Sequence, residues 1–256
     1  MTIDPELLHE GAHALALLAD PLTLTAILAI VVLAAVIQFG LGMGFGLFAA
    51  PLLALIDPLL VPAPTLFLGM ATSGLTAVRE RSAIVWPEVW IAALGRIVGM
   101  LAATALLAAL TDRETFSLVF GLMLALAVAM SLLGLRLPFS RPALGAMGGV
   151  SGLMGTITSV GAPPLAILYQ DRSSTRARPT LAAFFSIGCA ISLVGLFATG
   201  WATWADAILA LVMAPGMLVG GLISARLRGA FDARFRPFLL AISGLAALIL
   251  ILRGLA

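Results

Sequence analysis

The chain has 256 residues, 62% of them hydrophobic and 10% charged, and its mean hydropathy is +1.16. A water-soluble protein of this size needs a far more charged surface, so lipid is the solvent for most of the chain and a separate soluble domain is excluded. All 14 basic residues are arginines spread mainly through short loops; despite a sequence pI near 9.5, that pattern fits orientation in a membrane and not nucleic-acid binding.

The chain opens with MTIDPELLHEGAHALALLAD, an acidic amphipathic stretch that holds both histidines, His9 and His13. It lacks the basic n-region of a signal peptide, and residues 1–21 are expected to form a short interfacial segment. Apolar segments then follow at about 22–56, 61–78, 87–110, 115–135, 143–169, 179–200, 204–225 and 236–252. Most have the length of a single transmembrane helix. The first and fifth do not: 22–56 is too long for one span, and both carry clustered glycine and proline near the middle. The one cysteine, Cys189, lies inside an apolar run, so neither a disulfide framework nor a cysteine metal site is available, and no cofactor or metal is expected.

The two unusual segments resemble each other. QFGLGMGFGLFAAPLL, from Gln38, aligns with SGLMGTITSVGAPPLA, from Ser151, which sets Gly42 opposite Gly155 and Pro51 opposite Pro164. Pro64-Thr65-Leu66 and Val98-Gly99 find matches, in the same order, in Pro179-Thr180-Leu181 and Val219-Gly220. The chain therefore reads as a duplication, with repeat 1 over 22–135, a cytoplasmic linker over 136–142 and repeat 2 over 143–256.

Arginine decides the expected topology. If both unusual segments simply cross the membrane, the loop arginines divide almost evenly between the faces. If each enters, turns at its glycines near mid-membrane and leaves on the side it came from, only Arg113 and Arg253 fall opposite all the other loop arginines. The positive-inside rule selects the second arrangement and places both termini outside, in the periplasm. Each repeat then has one re-entrant hairpin plus three transmembrane helices, an odd number of crossings. The fold class expected is an all-α polytopic membrane protein built from two inverted repeats whose hairpin tips can meet. The second hairpin, at about 27 residues, is the better fit to two half-length arms, whereas the 35 residues of the first could also form a full span out and a longer return.

Irregular backbone at membrane depth persists only where protein buries it or a wet cavity adjoins it. Gly44, Gly46 and Pro51 are read as marking one half-helix N-terminus there, and Thr158, Ser159, Gly161, Pro163 and Pro164 the other. Two such positive ends aimed at one point make an anion site without lysine. The hydroxyls of Thr156, Thr158 and Ser159 and the amide of Gln38 are candidate donors; close helix packing is the competing role for the glycines. Arg96, deep in the 87–110 segment between Gly95 and Gly99, is a candidate for charge complementarity, with snorkelling or structural pairing as its alternatives. Thr72 and Ser73 are expected to bond back to their own helix. The GVSG around Ser151 has the look of a serine-hydrolase motif, but the membrane portion holds no histidine or lysine to take a proton, so the chain is not expected to be an enzyme.

Taken in order, GLGMGFGLFAAPLL, PTLFLGMATSGLTAVRERSAIVWPEVW, SGLMGTITSVGAPPLAILYQ, RARPTLAAFF and PGMLVGGLISARL resemble the TauE/SafE family, the sulfite exporters. The resemblance implies a bacterial inner-membrane transporter of small anions, particularly sulfite, sulfoacetate, thiosulfate or other organosulfonates. It also implies site positions at Gly42, Gly44, Gly46 and Pro51, with Gly152, Gly155, Gly161 and Pro164 in the second half. The chain departs from the family's usual glycine run by carrying Thr156-Ile157-Thr158-Ser159, a change expected to shift the anion preferred. The expected function is export of such an anion by alternating access; an anion channel and a non-transporting membrane scaffold or biogenesis factor are the alternatives. The expected partners are the small anion and the lipid bilayer, with no nucleic acid and no reading of oligomeric state.

Overall fold

The structure is a computed structural model that describes residues 18–110, 112–226 and 235–255. Most of the 1–21 segment, with Arg228 and Arg234, lies outside the described residues. The described residues form ten α-helices and no strand: α1 (Pro21–Leu41), α2 (Phe45–Ile56), α3 (Ala63–Arg79), α4 (Trp86–Ala108), α5 (Arg113–Leu132), α6 (Arg141–Thr158), α7 (Ala162–Tyr169), α8 (Ser174–Ala198), α9 (Trp204–Arg226) and α10 (Phe235–Leu255). The chain is an all-α polytopic membrane protein, and six of its helical segments are long and apolar enough to cross a bilayer.

Short polar motifs start the helices. The Asp20 carboxylate accepts from the Thr23 N–H at 2.9 Å, Asp112 does the same for Thr115 at 2.6 Å, and Ser140 Oγ accepts from the Ala143 N–H at 3.3 Å. Each gives an acceptor to a first-turn donor that the helix cannot satisfy itself.

Both long apolar segments break where the glycines and hydroxyls cluster. Helix α1 ends on Gly42, at φ 80°, whose N–H returns to the Gln38 carbonyl, and α2 starts after Gly44, at φ 115°. Helix α6 ends on Ser159, at φ 62°, and α7 starts after Gly161. Left-handed backbone is what glycine adopts at little cost, which is why Gly42 and Gly44 hold the first turn.

The contacts fix where each hairpin opens. Helix α6 runs parallel to α4, with Gly148 against Ala92 and Gly152 against Arg96, so Arg141 starts near the N-terminal end of α4. Helix α7 comes back to that same end, where the Tyr169 hydroxyl donates to Glu88 Oε2 at 2.7 Å. Helix α1 runs parallel to α9, Gly216 meeting Leu28 and Gly220 meeting Val32. Its partner α2 returns to the face on which α9 starts, where Arg253 Nη1 donates to the Leu55 carbonyl at 3.2 Å. The two hairpins thus open toward opposite ends of the helix bundle. One face carries Arg79, Arg81, Arg136, Arg141, Arg172, Arg176, Arg178 and Arg226; the other carries Arg113 and Arg253 with Asp20, Asp57, Asp112, Glu114 and Asp206.

Three expectations need correction. The arms are unequal: α1 and α6, with 21 and 18 residues, are about 31 and 27 Å long, against 12 and 8 residues for α2 and α7. A long apolar arm gains more burial by running on along its parallel partner than by turning back early. Helix α1 therefore nearly crosses, reaching Arg178, which donates to the Phe39 carbonyl at 3.0 Å, and the tips overlap instead of stopping at mid-membrane. Second, Pro51 lies inside α2, well past its first turn. Helix α2 already starts at Phe45 because Gln38 caps it there.

Candidate anion site

The site assembles around Arg96, which is 2% exposed near the middle of α4. Glycine brings α6 onto α4: a Cβ on Gly95 or Gly99 would collide with the Gly145 or Gly149 carbonyl, and one on Gly152 with that of Arg96. This close approach holds Ser151 and Gly155 against the guanidinium. Nη1 donates to Ser151 Oγ at 3.0 Å and to the Ser151 carbonyl at 3.2 Å, and Nη2 donates to Ser192 Oγ at 3.1 Å. Ser192 and Thr156 share a further hydrogen bond of 2.7 Å, and the Phe184 ring lies 5.6 Å from Arg96 Cζ. Among the described residues no carboxylate pairs with Arg96, and its Nε has no partner. Hydroxyls satisfy part of the guanidinium, but they leave a buried positive charge unneutralised, an arrangement that costs several kcal/mol in a low-dielectric interior.

Beside Arg96 is a recess of about 50 Å³, bounded by both hairpin tips (Gly44, Gly46, Ser159 and Gly161) and by Gln38, Ser73 and Cys189. That is room for a few water molecules or a small oxyanion. The tips touch closely: a Cβ on Gly46 would fall on the Ser159 carbonyl. Toward the arginine-bearing face the recess adjoins a vestibule of about 620 Å³, which shares Met43, Gly44, Leu47 and Ala162 with it and carries Gln170, Arg172 and Arg178 at its mouth. Toward the opposite face the path is filled by the main hydrophobic core, including Phe48, Leu60, Leu66, Ile157 and Val160.

Of the residues singled out in the sequence, Gln38, Gly44, Gly46, Arg96, Ser159 and Gly161 line the recess. Gly155 and Thr156 sit behind the guanidinium, Gly155 within 2.8 Å of Nη2 if it bore a Cβ. The others have local tasks. Gln38 Oε1 accepts from the Phe45 N–H at 3.0 Å, capping α2; Thr158 Oγ1 donates to the Met154 carbonyl and accepts from Val160 N–H. Gly42 ends α1 beneath the Arg178 side chain, Gly152 is an α4–α6 packing glycine, and Pro51 and Pro164 are buried within their helices. Ser159 Oγ donates to the Pro62 carbonyl at 2.9 Å.

The third correction concerns Ser73: its hydroxyl accepts from Gln38 Nε2 at 3.3 Å and faces the recess, while Thr72 bonds back to Leu68 as expected. Ser192 and Cys189 went unmarked because they stand on an uninterrupted apolar helix. Only their nearness to Gly188, whose Cβ would strike Arg96, distinguishes them: Cys189 follows it directly and Ser192 lies one helical turn on. Ser151 Oγ donates to the Gly161 carbonyl at 2.6 Å and is tied to Arg96, so it pins the hairpin.

The sequence profile described as "Sulfite exporter TauE/SafE" matches residues 27–250. No curated protein and no solved structure matches the chain. Because that match runs from α1 to α10 and takes in both hairpins, the chain belongs to the sulfite exporter TauE/SafE family.

Proposed function

We propose that this multi-pass membrane transport protein exports a small sulfur-containing anion, sulfite, sulfoacetate or another organosulfonate, across the inner membrane by alternating access. The observation that carries the reading is the buried, carboxylate-free Arg96 beside a recess that both hairpin tips enclose. A cation pathway would present carboxylates or aligned carbonyls at this point. An anion entering the recess supplies the charge that Arg96 lacks.

The halves support the mechanism. Helix α3 packs antiparallel to α8, with Gly69 near Cys189 and Gly74 near Ser186, and α5 packs antiparallel to α10, with Gly121 near Ile251 and Gly254 near Leu118. Each of these pairs joins corresponding helices of the two repeats, and antiparallel counterparts are what an inverted duplication produces. Rocking one half against the other exposes the shared site alternately. The positive-inside rule makes the arginine-bearing face cytoplasmic, so the vestibule faces inward and both termini lie in the periplasm. An inside-negative potential then drives anion export by about 2.3 kcal/mol per charge per 100 mV. The packed core between the recess and the other face favours a carrier over an open channel.

Exchange of radiolabelled sulfite in proteoliposomes tests this. A carrier gives flux stimulated by unlabelled sulfite on the opposite side. Flux without such stimulation points to a channel, and no flux of any anion overturns the transport reading in favour of a scaffold.

A further inference from the structure

We propose that the Arg96 recess accepts its anion as a monoanion, so that among the anions named above hydrogen sulfite is the species carried and dianions, including sulfoacetate with its ionised sulfonate and carboxylate, are refused. The inference rests on the transport reading above and adds the charge state of what is carried.

The charge inventory of the recess argues for it. Helix α4 contributes one cation, Arg96. The elements packed around it contribute neutral groups: Ser151 and Thr156 from α6, Ser192 from α8, Ser73 from α3 and Gln38 from α1. Among the described residues Cys189 is the one other titratable side chain facing the recess, and it carries no positive charge. The nearest carboxylate on α4, Glu88, is more than two turns away and already meets Tyr169 and Arg172. In the second repeat the position matching Arg96 is Met217, by the alignment of Val98-Gly99 with Val219-Gly220, so the duplication supplies no second cation.

The hairpin tips add partial charges but no second formal charge. Helix N-termini attract anions through unpaired N–H groups. In α7 two first-turn positions are Pro163 and Pro164, which have no N–H. In α2 the Phe45 N–H is taken by Gln38 Oε1. One fixed positive charge therefore meets the ligand, in about 50 Å³, with no space for a hydration shell around a second negative charge. A monoanion leaves the site neutral; a dianion leaves a net charge buried at low dielectric, which is strongly disfavoured. The O–H of a protonated oxyanion also needs an acceptor, and the Ser73 hydroxyl, which receives one hydrogen bond from Gln38, has a lone pair left to accept another.

The test uses the full-length protein in proteoliposomes with equal pH on both sides. Exchange is measured at a fixed, subsaturating total sulfite concentration across sulfite's second ionisation. Methanesulfonate, a monoanion throughout, controls for titration of the protein; sulfate, a dianion throughout, is the opposite control. The expected result is sulfite exchange falling about tenfold per pH unit above that ionisation, flat methanesulfonate exchange, competition by methanesulfonate and none by sulfate. Sulfite exchange that is constant or rises with pH while methanesulfonate stays flat would overturn the inference and leave the transporter standing, as would sulfate competing as well as methanesulfonate. Absence of exchange for every anion at every pH would overturn the transport reading itself.

Discussion

Gly155→Ala probes the link between the second hairpin and the buried cation. The added Cβ would stand 2.8 Å from Arg96 Nη2, 3.2 Å from Nη1 and 3.3 Å from the Gly161 Cα, whereas ordinary contact begins at 3.4 Å. The guanidinium must therefore withdraw by about 0.6 Å to reach ordinary contact, a shift large enough to lengthen the 3.1 Å Nη2–Ser192 hydrogen bond toward or past hydrogen-bonding range. Losing one hydrogen bond to a charged group costs about 1.5–3 kcal/mol. Replacing glycine by alanine in a helix returns at most about 1 kcal/mol. The net expectation is a loss of about 0.5–2 kcal/mol of stability, so a melting temperature a few degrees lower, and weaker sulfite binding because the guanidinium no longer holds its place beside the recess. Isothermal titration with sulfite and a thermal melt read both quantities. Gly145→Ala is the matched control on the same helix, since its Cβ would meet nothing closer than Ile91 at 4.0 Å. If Gly155→Ala bound sulfite as tightly as the native protein, or if Gly145→Ala were the more damaging change, the reasoning about the guanidinium's confinement would be wrong.

Gly46→Ala places its Cβ on the Ser159 backbone carbonyl, which no rotamer change can relieve. Sulfite exchange should fall by about two orders of magnitude, as expected when site elements are displaced by about 1 Å, with overpacking costing about 1–3 kcal/mol of stability; unchanged exchange would show that the tips need not touch. Topology is tested in a Cys189→Ser background: Ser174→Cys should react with a membrane-impermeant thiol reagent only from the cytoplasm and Thr203→Cys only from the periplasm. The opposite pattern would reverse the assigned orientation.

Much of this arrangement is visible in the sequence because the bilayer imposes a few strong rules. The apolar segments predicted at 61–78, 87–110 and 204–225 correspond to α3, α4 and α9 within a few residues, since length and hydropathy alone define a span. The breaks at Gly42–Gly44 and Ser159–Gly161 are legible because few residues turn a chain inside a membrane. The one-sided arginines argue for segments that return toward the end they start from, and the Tyr169–Glu88 and Arg253–Leu55 contacts place the ends of α7 and α2 accordingly. Arg96 is legible as a charge where lipid tolerates few.

What the sequence conceals depends on tertiary packing. The 35-residue length of the first segment leaves room for a full-span arm, but only the packing of α1 along α9 and its contact with Arg178 show that it runs on before turning. Gln38 reads as a ligand donor, yet the nearest unsatisfied group is the Phe45 N–H, and a cap seven residues away is invisible to sequence spacing. Gly152 and Gly155 look alike in a glycine-rich run, but one meets the Arg96 backbone and the other its guanidinium. Ser192 carries no signal at all until α8 is laid against α4.

The most direct test of the anion site is sulfite binding and exchange by Arg96→Gln. Glutamine removes the uncompensated charge together with the guanidinium's hydrogen bonds to Ser151 and Ser192, a relief and a loss of opposite sign and similar size. The account predicts a folded protein, with a melting temperature within a few degrees of the native one, that neither binds sulfite nor exchanges it. Native affinity and exchange rate in Arg96→Gln would contradict the claim that this guanidinium is what receives the anion.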